Sequence, residues 1–211
     1  ADEVSEHRLM ERVNALEPDG LGVLIYTSGT TGPSKGVMLS HRALTFTADV
    51  AKRICELGPS DCSLSYLPLS HIAEQVFTIH GPISFGGSVY FAEALDKVPD
   101  NLKEIQPTVF FGVPRIWEKF HAGISAKMAL ATGSKKTLLN WARSVGKRMT
   151  ELRCQGKEPS GLLRIEYAAA QRLVFSKLKA AIGLGRARYC VSGAAPIAKE
   201  VLEFFATLDI L

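Results

Sequence analysis

Residues Leu21 to His41 read LGVLIYTSGTTGPSKGVMLSH, and this stretch decides the fold. Its first six residues, Leu21 to Tyr26, are apolar and partly β-branched, and they lie between Gly20 and a glycine-rich segment. That is the pattern of a short buried strand. From Tyr26 to His41 the hydroxyls of Thr27, Ser28, Thr30, Thr31 and Ser34 crowd around Gly29, Gly32 and Gly36, with Lys35 near the end. Glycines let the backbone turn so that several N–H groups converge on an anion, hydroxyls add donors, and a lysine supplies a compact positive charge. The segment reads as a phosphate loop. It is not the GxxxxGK[ST] loop of many ATPases, because Gly36 follows Lys35 instead of preceding it. The plain alternative is a flexible Ser/Thr/Gly linker, and so dense a pattern directly after a strand weighs against it.

Working outward, Ser40 is a candidate N-cap for a helix over Ser40 to Leu57, with Leu44, Val50, Ile54 and Leu57 at helical spacing. Strand, glycine loop and helix are thus expected in direct succession. Upstream, Ala1 to Leu16 suggests a short amphipathic helix that ends before Pro18 and Gly20. Downstream, Ser63–Leu69, Ser88–Phe91 and Thr108–Val113 are short apolar runs separated by helix-like segments. This alternation predicts an α/β fold, a parallel sheet flanked by helices. From about residue 131 to 183 the character changes to a helical excursion, built of a run over Thr137–Arg153 and a second over Leu162–Ile182. A strand-and-turn unit over Ala187–Pro196 follows, and Asp209-Ile210-Leu211 has the look of another strand beginning.

Composition excludes more than it selects. With 211 residues, 46% hydrophobic and 22% charged, the chain can bury one sizeable core. A net charge of +4, scattered along the sequence, gives no case for a nucleic-acid partner. Cys55, Cys62, Cys154 and Cys190 form neither a CxxC pair nor a zinc-ligand spacing, which fits a reducing, cytoplasmic compartment. No apolar run approaches bilayer-spanning length. The mixed apolar and basic run over Leu162–Ile182 leaves peripheral membrane contact open, against the plainer reading of a half-buried helix.

The segment YTSGTTGPSKGVMLSH resembles the phosphate-loop signature of the adenylate-forming superfamily, and three later segments extend the resemblance in order. YLPLSHIAEQ (Tyr66–Gln75) is similar to a Leu-Pro-Leu-x-His segment, with His71 as the matching histidine. FFGVPRIWEKF (Phe110–Phe120) is similar to a Val-Pro-Arg-x-Trp/Phe-Glu segment of fatty-acid-activating members, with Trp117 either as a wall of the acyl site or as a core residue beside Phe120. VSGAAP (Val191–Pro196) is similar to the loop that lies against adenine, with Gly193, Ala194, Ala195 and Pro196 at the matching positions. The last two segments and the histidine segment lean towards long-chain and very-long-chain acyl-CoA synthetases, including the bubblegum-like branch.

The resemblance implies ATP-dependent activation of a long-chain fatty acid to its acyl adenylate, then transfer to CoA, with Mg2+ assisting the first half. It places Thr27, Ser28, Gly29, Thr30, Thr31, Gly32 and Lys35 at the ATP phosphates, Thr27 also at the metal, and His71 beside the acyl group and adenylate as a positioning residue. The chain then corresponds to a partial AMP-binding N-terminal domain over residues 1–211. The family's Tyr-Gly-x-Thr-Glu motif, ribose-binding aspartate and C-terminal domain have no counterpart in it. The expectation that follows is a piece that is inactive alone and exposes apolar surface, open to self-association. Adenylation of another carboxylic acid is one alternative, and a nonenzymatic nucleotide- or acyl-binding module is the other.

Overall fold

The computed structural model describes residues 3–27 and 34–210. The chain divides into two compact units, Ala1–Pro59 with Leu67–Gly87, and Ser60–Tyr66 with Ser88–Leu211.

In the first unit, α1 (Glu3–Asn14) precedes an antiparallel hairpin of β1 (Leu21–Thr27) and β2 (Lys35–Ser40). The second strand was not expected, because KGVMLS reads as the tail of the glycine loop. Its pairing partners are Tyr26 with Gly36 and Thr27 with Lys35. Strand, loop and helix are therefore not consecutive: β2 stands between the loop and α2 (His41–Ile54). Nor is β1 a buried strand, since Leu21, Leu24 and Tyr26 are exposed. A two-stranded ribbon has two faces, and in this unit α2 covers only part of one.

The expected cap on α2 is present. Ser40 Oγ accepts the Ala43 N–H at 3.2 Å, satisfying one of the helix's orphan donors. Leu44 and Ala48, four residues apart, form the buried stripe, while Ile54 is exposed and the helix ends there. The helix start is tied to the turn before β1: His41 N–H donates to Gly20 O at 3.2 Å and Arg42 N–H to Pro18 O at 2.7 Å. Arg42 also grips Asp19 through Nε and Nη2, at 2.7 and 2.9 Å. A continuous helical run follows Leu67–Ser70, composed of α3 (Ile72–Gln75), a π-helical turn (Val76–His80) and α4 (Gly81–Phe85).

The second unit holds a four-stranded parallel sheet in the order β4-β3-β5-β6, made of β3 (Cys62–Ser65), β4 (Ser88–Phe91), β5 (Val109–Gly112) and β6 (Tyr189–Ser192). β5 is buried along its whole length, as expected of an interior parallel strand with both faces covered. Around the sheet lie α5 (Val98–Ile105), α6 (Pro114–Ala129) and α10 (Lys199–Ala206). Pro114 opens α6, where a missing N–H costs nothing. Phe110, Trp117, Phe120, Phe204, Phe205 and Leu208 are among the residues that fill the core between them.

The excursion is α7 (Gly133–Cys154), α8 (Gly161–Ala170), a second π-helical turn (Gln171–Phe175) and α9 (Ser176–Ala181), with its own small core of Ala142, Val145, Met149, Ala170 and Phe175. The chain does not begin a strand at Asp209. That residue takes a left-handed conformation (φ 59) just after α10, and its carboxylate accepts hydrogen bonds from α7, α8, the second π turn and α9.

Candidate functional site

The hairpin fixes where the expected phosphate loop begins and ends. Thr27 closes β1, Lys35 opens β2, and their backbones pair in register across the loop mouth. Ser28, Gly29, Thr30, Thr31 and Gly32 lie outside the described residues, and Thr27 is placed as a backbone position only. Lys35 is exposed at the mouth. The neighbouring Gly36 has a local reason: a Cβ there would come within 3.0 Å of Leu24 Cδ1 and 3.5 Å of Tyr26 Cε1 across the ribbon.

His71 belongs to the same unit as the hairpin. Its backbone is extended and its Nδ1 accepts the Ala73 N–H at 3.2 Å, so the imidazole caps α3. This hydrogen bond fixes the ring's orientation and assigns the proton of a neutral imidazole to Nε2, on an exposed side chain. Gln75 steadies the preceding turn by donating to Leu69 O at 2.7 Å. Two further polar groups here gave no signal in the sequence. Glu74 is buried and accepts Thr78 Oγ1 at 2.8 Å, and His80 carries a buried Nε2 without a hydrogen-bond partner among the described residues. Burial, with a smaller contribution from the charge of His41, pushes the His80 pKa down from 6.5.

Trp117 and the 193–196 segment belong to the second unit. Trp117 is 4% exposed, packs edge-on against Phe110, Phe120 and Phe205, and donates Nε1–H to Gly112 O at 3.0 Å. It is a core residue with its one polar atom satisfied. One side of the ring nevertheless faces a cavity of about 220 Å3, which Ser192, Ile197, Leu202, Phe205 and Ile210 also line. Ser192 and Ile197 bracket Gly193–Pro196, so this space adjoins the expected adenine loop. Ser192 Oγ is buried there without a partner among the described residues.

In the loop itself Ala194 is held at φ 68, a left-handed conformation that costs a non-glycine residue about 1–2 kcal/mol. A Cβ on Gly193 would press on Phe111 at 3.1 Å. The packing against Phe111 thus favours glycine at 193, whatever the loop binds. A larger groove of about 840 Å3 runs along α6, α7 and α10 past His121, Arg143 and Phe204, and it contains none of the residues expected at the ATP, acyl or adenine sites.

The residue pattern of the AMP-binding enzyme family matches residues 1–209. The chain belongs to this family. Among curated relatives, the long-chain-fatty-acid–CoA ligase ACSBG2 of Gallus gallus is 40% identical over 99% of the chain and 28% of its own length. The human protein of the same name is 40% identical over 98% of the chain and 31% of its length. A putative fatty-acid–CoA ligase, fadD11, of Mycobacterium tuberculosis is 38% identical over 93% of the chain and 34% of its length. The chain spans about three tenths of the length of these relatives.

Two solved structures share the fold. A malonyl-CoA ligase complex with methylmalonyl-CoA and AMP aligns with a TM-score of 0.56 at 22% identity, over 92% of the chain and 32% of that structure. The adenylation domain of a carboxylate reductase from Mycobacterium chelonae aligns at 0.55 and 23% identity, over 92% and 26%.

Proposed function

We propose that this chain is the ATP-gripping portion of a long-chain fatty-acid–CoA ligase, which converts a fatty acid to acyl-AMP and then to acyl-CoA. The observation that carries the reading is the register of Thr27 with Lys35. It brings the two ends of a Ser/Thr/Gly loop together and sets an exposed ammonium at its mouth. Relatives that are 38–40% identical over nearly the whole chain carry the name of fatty-acid–CoA ligases, which favours this over adenylation of another acid or a binding module without catalysis.

The residues present fit a nucleotide triphosphate. Backbone amides and hydroxyls of residues 28–34 would hold the β- and γ-phosphates, and Lys35 would neutralise charge as pyrophosphate departs. Among the described residues no group of three or more His, Cys, Asp or Glu could hold a metal by itself. Mg2+, which keeps several waters and binds largely through substrate phosphates, would have Thr27 as its protein contact. When bound, the ion would supply electrostatic stabilisation to the phosphate oxygens. His71, its ring fixed by the Ala73 N–H, would lie beside the acyl group as a positioning residue. Gly193–Pro196 would lie against adenine, and the cavity past Ser192 and Trp117 would take the apolar part of the acid.

ATP–pyrophosphate exchange across acyl chain lengths tests this on the full-length protein. Exchange that depends on a long-chain acid, and falls about a hundredfold or more in Lys35→Ala, is the expected result. Exchange driven by amino or aryl acids alone would move the reading to a different adenylating enzyme, and nucleotide binding without exchange to a binding module.

A further inference from the structure

Two of the segments picked out in the sequence meet on one peptide bond. β3, β5 and β6 are neighbouring parallel strands, and their carboxyl ends lie at Ser65, Gly112 and Ser192. In open parallel sheets ligands bind outside this edge. Tyr66 is the first residue beyond β3 and Val113 the first beyond β5. There Tyr66 Oη accepts the Val113 N–H at 3.1 Å, and Trp117 Nε1–H donates to Gly112 O at 3.0 Å. Donor and acceptor of the Gly112–Val113 peptide are thus each held by an aromatic side chain, one from each segment.

Both holds are built locally. Tyr66 stacks on Phe110 with ring centroids 6.1 Å apart and planes at 27°, which limits where the phenol oxygen can go. Opposite, a Cβ at position 112 would come within 2.6 Å of Trp117 Nε1, so only glycine admits the indole this closely. Val113 is the N-cap residue of α6 and supplies no side-chain cap, so the entry of the helix depends on the peptide that precedes it.

The held peptide bears directly on the cavity. Gly112 pairs with Ser192 across the sheet, and Ser192 and Trp117 face the same space of about 220 Å3. We propose that Tyr66 is a positioning residue for the acid substrate, acting through the Gly112–Val113 peptide on Trp117 and Ser192. The inference rests on the reading of that cavity as the acyl site. In the same reading ATP is held elsewhere, by residues 28–35 and by the Gly193 turn that packs on Phe111.

The test is steady-state kinetics of full-length wild type and Tyr66→Phe, which keeps the stacked ring and removes the hydroxyl, with whichever acid wild type activates best. A KM for the acid raised about tenfold, with kcat and the KM for ATP within about twofold, is expected, because a half-buried N–H loses its acceptor beside the acyl cavity. Amide hydrogen exchange resolved by residue is the second measurement. Faster exchange at Val113, with residues 109–111 unchanged, shows that the peptide has loosened and the strand has not. Unchanged exchange at Val113 overturns the proposal. So does a lower kcat with both KM values unchanged, the pattern of a hydroxyl that only stabilises the fold. An aryl or amino acid as best substrate would defeat the fatty-acid reading, with Tyr66 still judged by the same two KM values, and wild type inert towards every acid overturns both.

Discussion

Arg153 Nη1 lies 2.9 Å from Asp209 Oδ1, across 56 residues of sequence. The same carboxylate accepts from Lys179 Nζ at 2.5 Å, from Tyr167 Oη at 2.8 Å and from the amide of Gln171, so one residue just after α10 gathers four donors of the excursion. Burial alone would raise its pKa. The hydrogen bonds and charges of Lys179, Arg153 and Tyr167 outweigh that and hold it below the usual 3.8.

Asp209→Ala should therefore cost more than a deleted surface ion pair, because it leaves Lys179 and Arg153 facing a partly buried void. Breaking a buried pair typically costs about 3–5 kcal/mol, and the 37% exposure of Arg153 reduces this to about 2–4 kcal/mol. Urea unfolding measures it. A loss under about 0.5 kcal/mol, the range of ordinary surface substitutions, would show that the cluster does not hold the excursion. Because the folded pKa is depressed, the contribution is fully present above the unfolded value and disappears as pH falls through the folded one. The Asp209→Asn variant should accordingly lose less stability than wild type on acidification below about pH 4.

His80 shows the corresponding behaviour nearer neutrality. Its depressed pKa means that the unfolded chain takes up a proton below pH 6.5 before the folded chain does. Stability should be full above that value and decline as pH falls through the folded pKa. Replacing the ring in His80→Leu removes a buried nitrogen that has no partner among the described residues and should flatten the profile on the acid side of pH 6.5. Parallel profiles for the two proteins would refute this.

Gly146 in α7 meets the carbonyl of Thr207, which a Cβ would approach to 2.2 Å. Alanine normally favours a helix interior over glycine by about 1 kcal/mol, but overpacking costs about 1–3 kcal/mol. The obstacle here is backbone, and Thr150 Oγ1, bonded to Ala206 O at 3.2 Å, restrains it further. Gly146→Ala should destabilise the protein by about 1–2 kcal/mol in denaturant titration. A stabilised variant would mean that α10 can move away from α7 at little cost.

The cysteines should separate by reactivity. Burial pushes the Cys190 thiol up to about 12, only partly offset by Lys179, so almost no thiolate exists at neutral pH. Cys154 is exposed. A disulfide reagent at pH 7.5 should modify Cys154 in the native protein and reach Cys190 only after unfolding, as peptide mass mapping would show. Rapid native labelling of Cys190 would mean that β6 opens readily.

What the sequence made legible was local. The Ser40 cap and the short apolar runs over residues 88–91 and 109–112 announce themselves through neighbours a few positions away. β2 did not, because Lys35–Ser40 begins with Lys-Gly and ends on a cap residue, and only its pairing with β1 makes it a strand. Asp209 was misread for a related reason. Leu-Asp-Ile-Leu has β-like composition, whereas its conformation is set by donors 30 to 56 residues away. Residue type left Trp117 open between the core and a wall of the acyl site; it is a core residue that also lines a cavity, a state that residue type cannot reveal.

One consequence of β2 concerns electrostatics. In nucleotide-binding folds where the helix follows the loop at once, the helix's positive end sits on the phosphate. Here the extended chain takes five residue steps from Lys35 to Ser40, a rigid spacer of about 17 Å at 3.4 Å per residue. A helix terminus acts over little more than one turn, so α2 lies out of range of an anion held beside Lys35. In the proposed reading, attraction at the loop comes from its amides and hydroxyls, Lys35 and the metal, without the half-charge that other nucleotide sites draw from their helix.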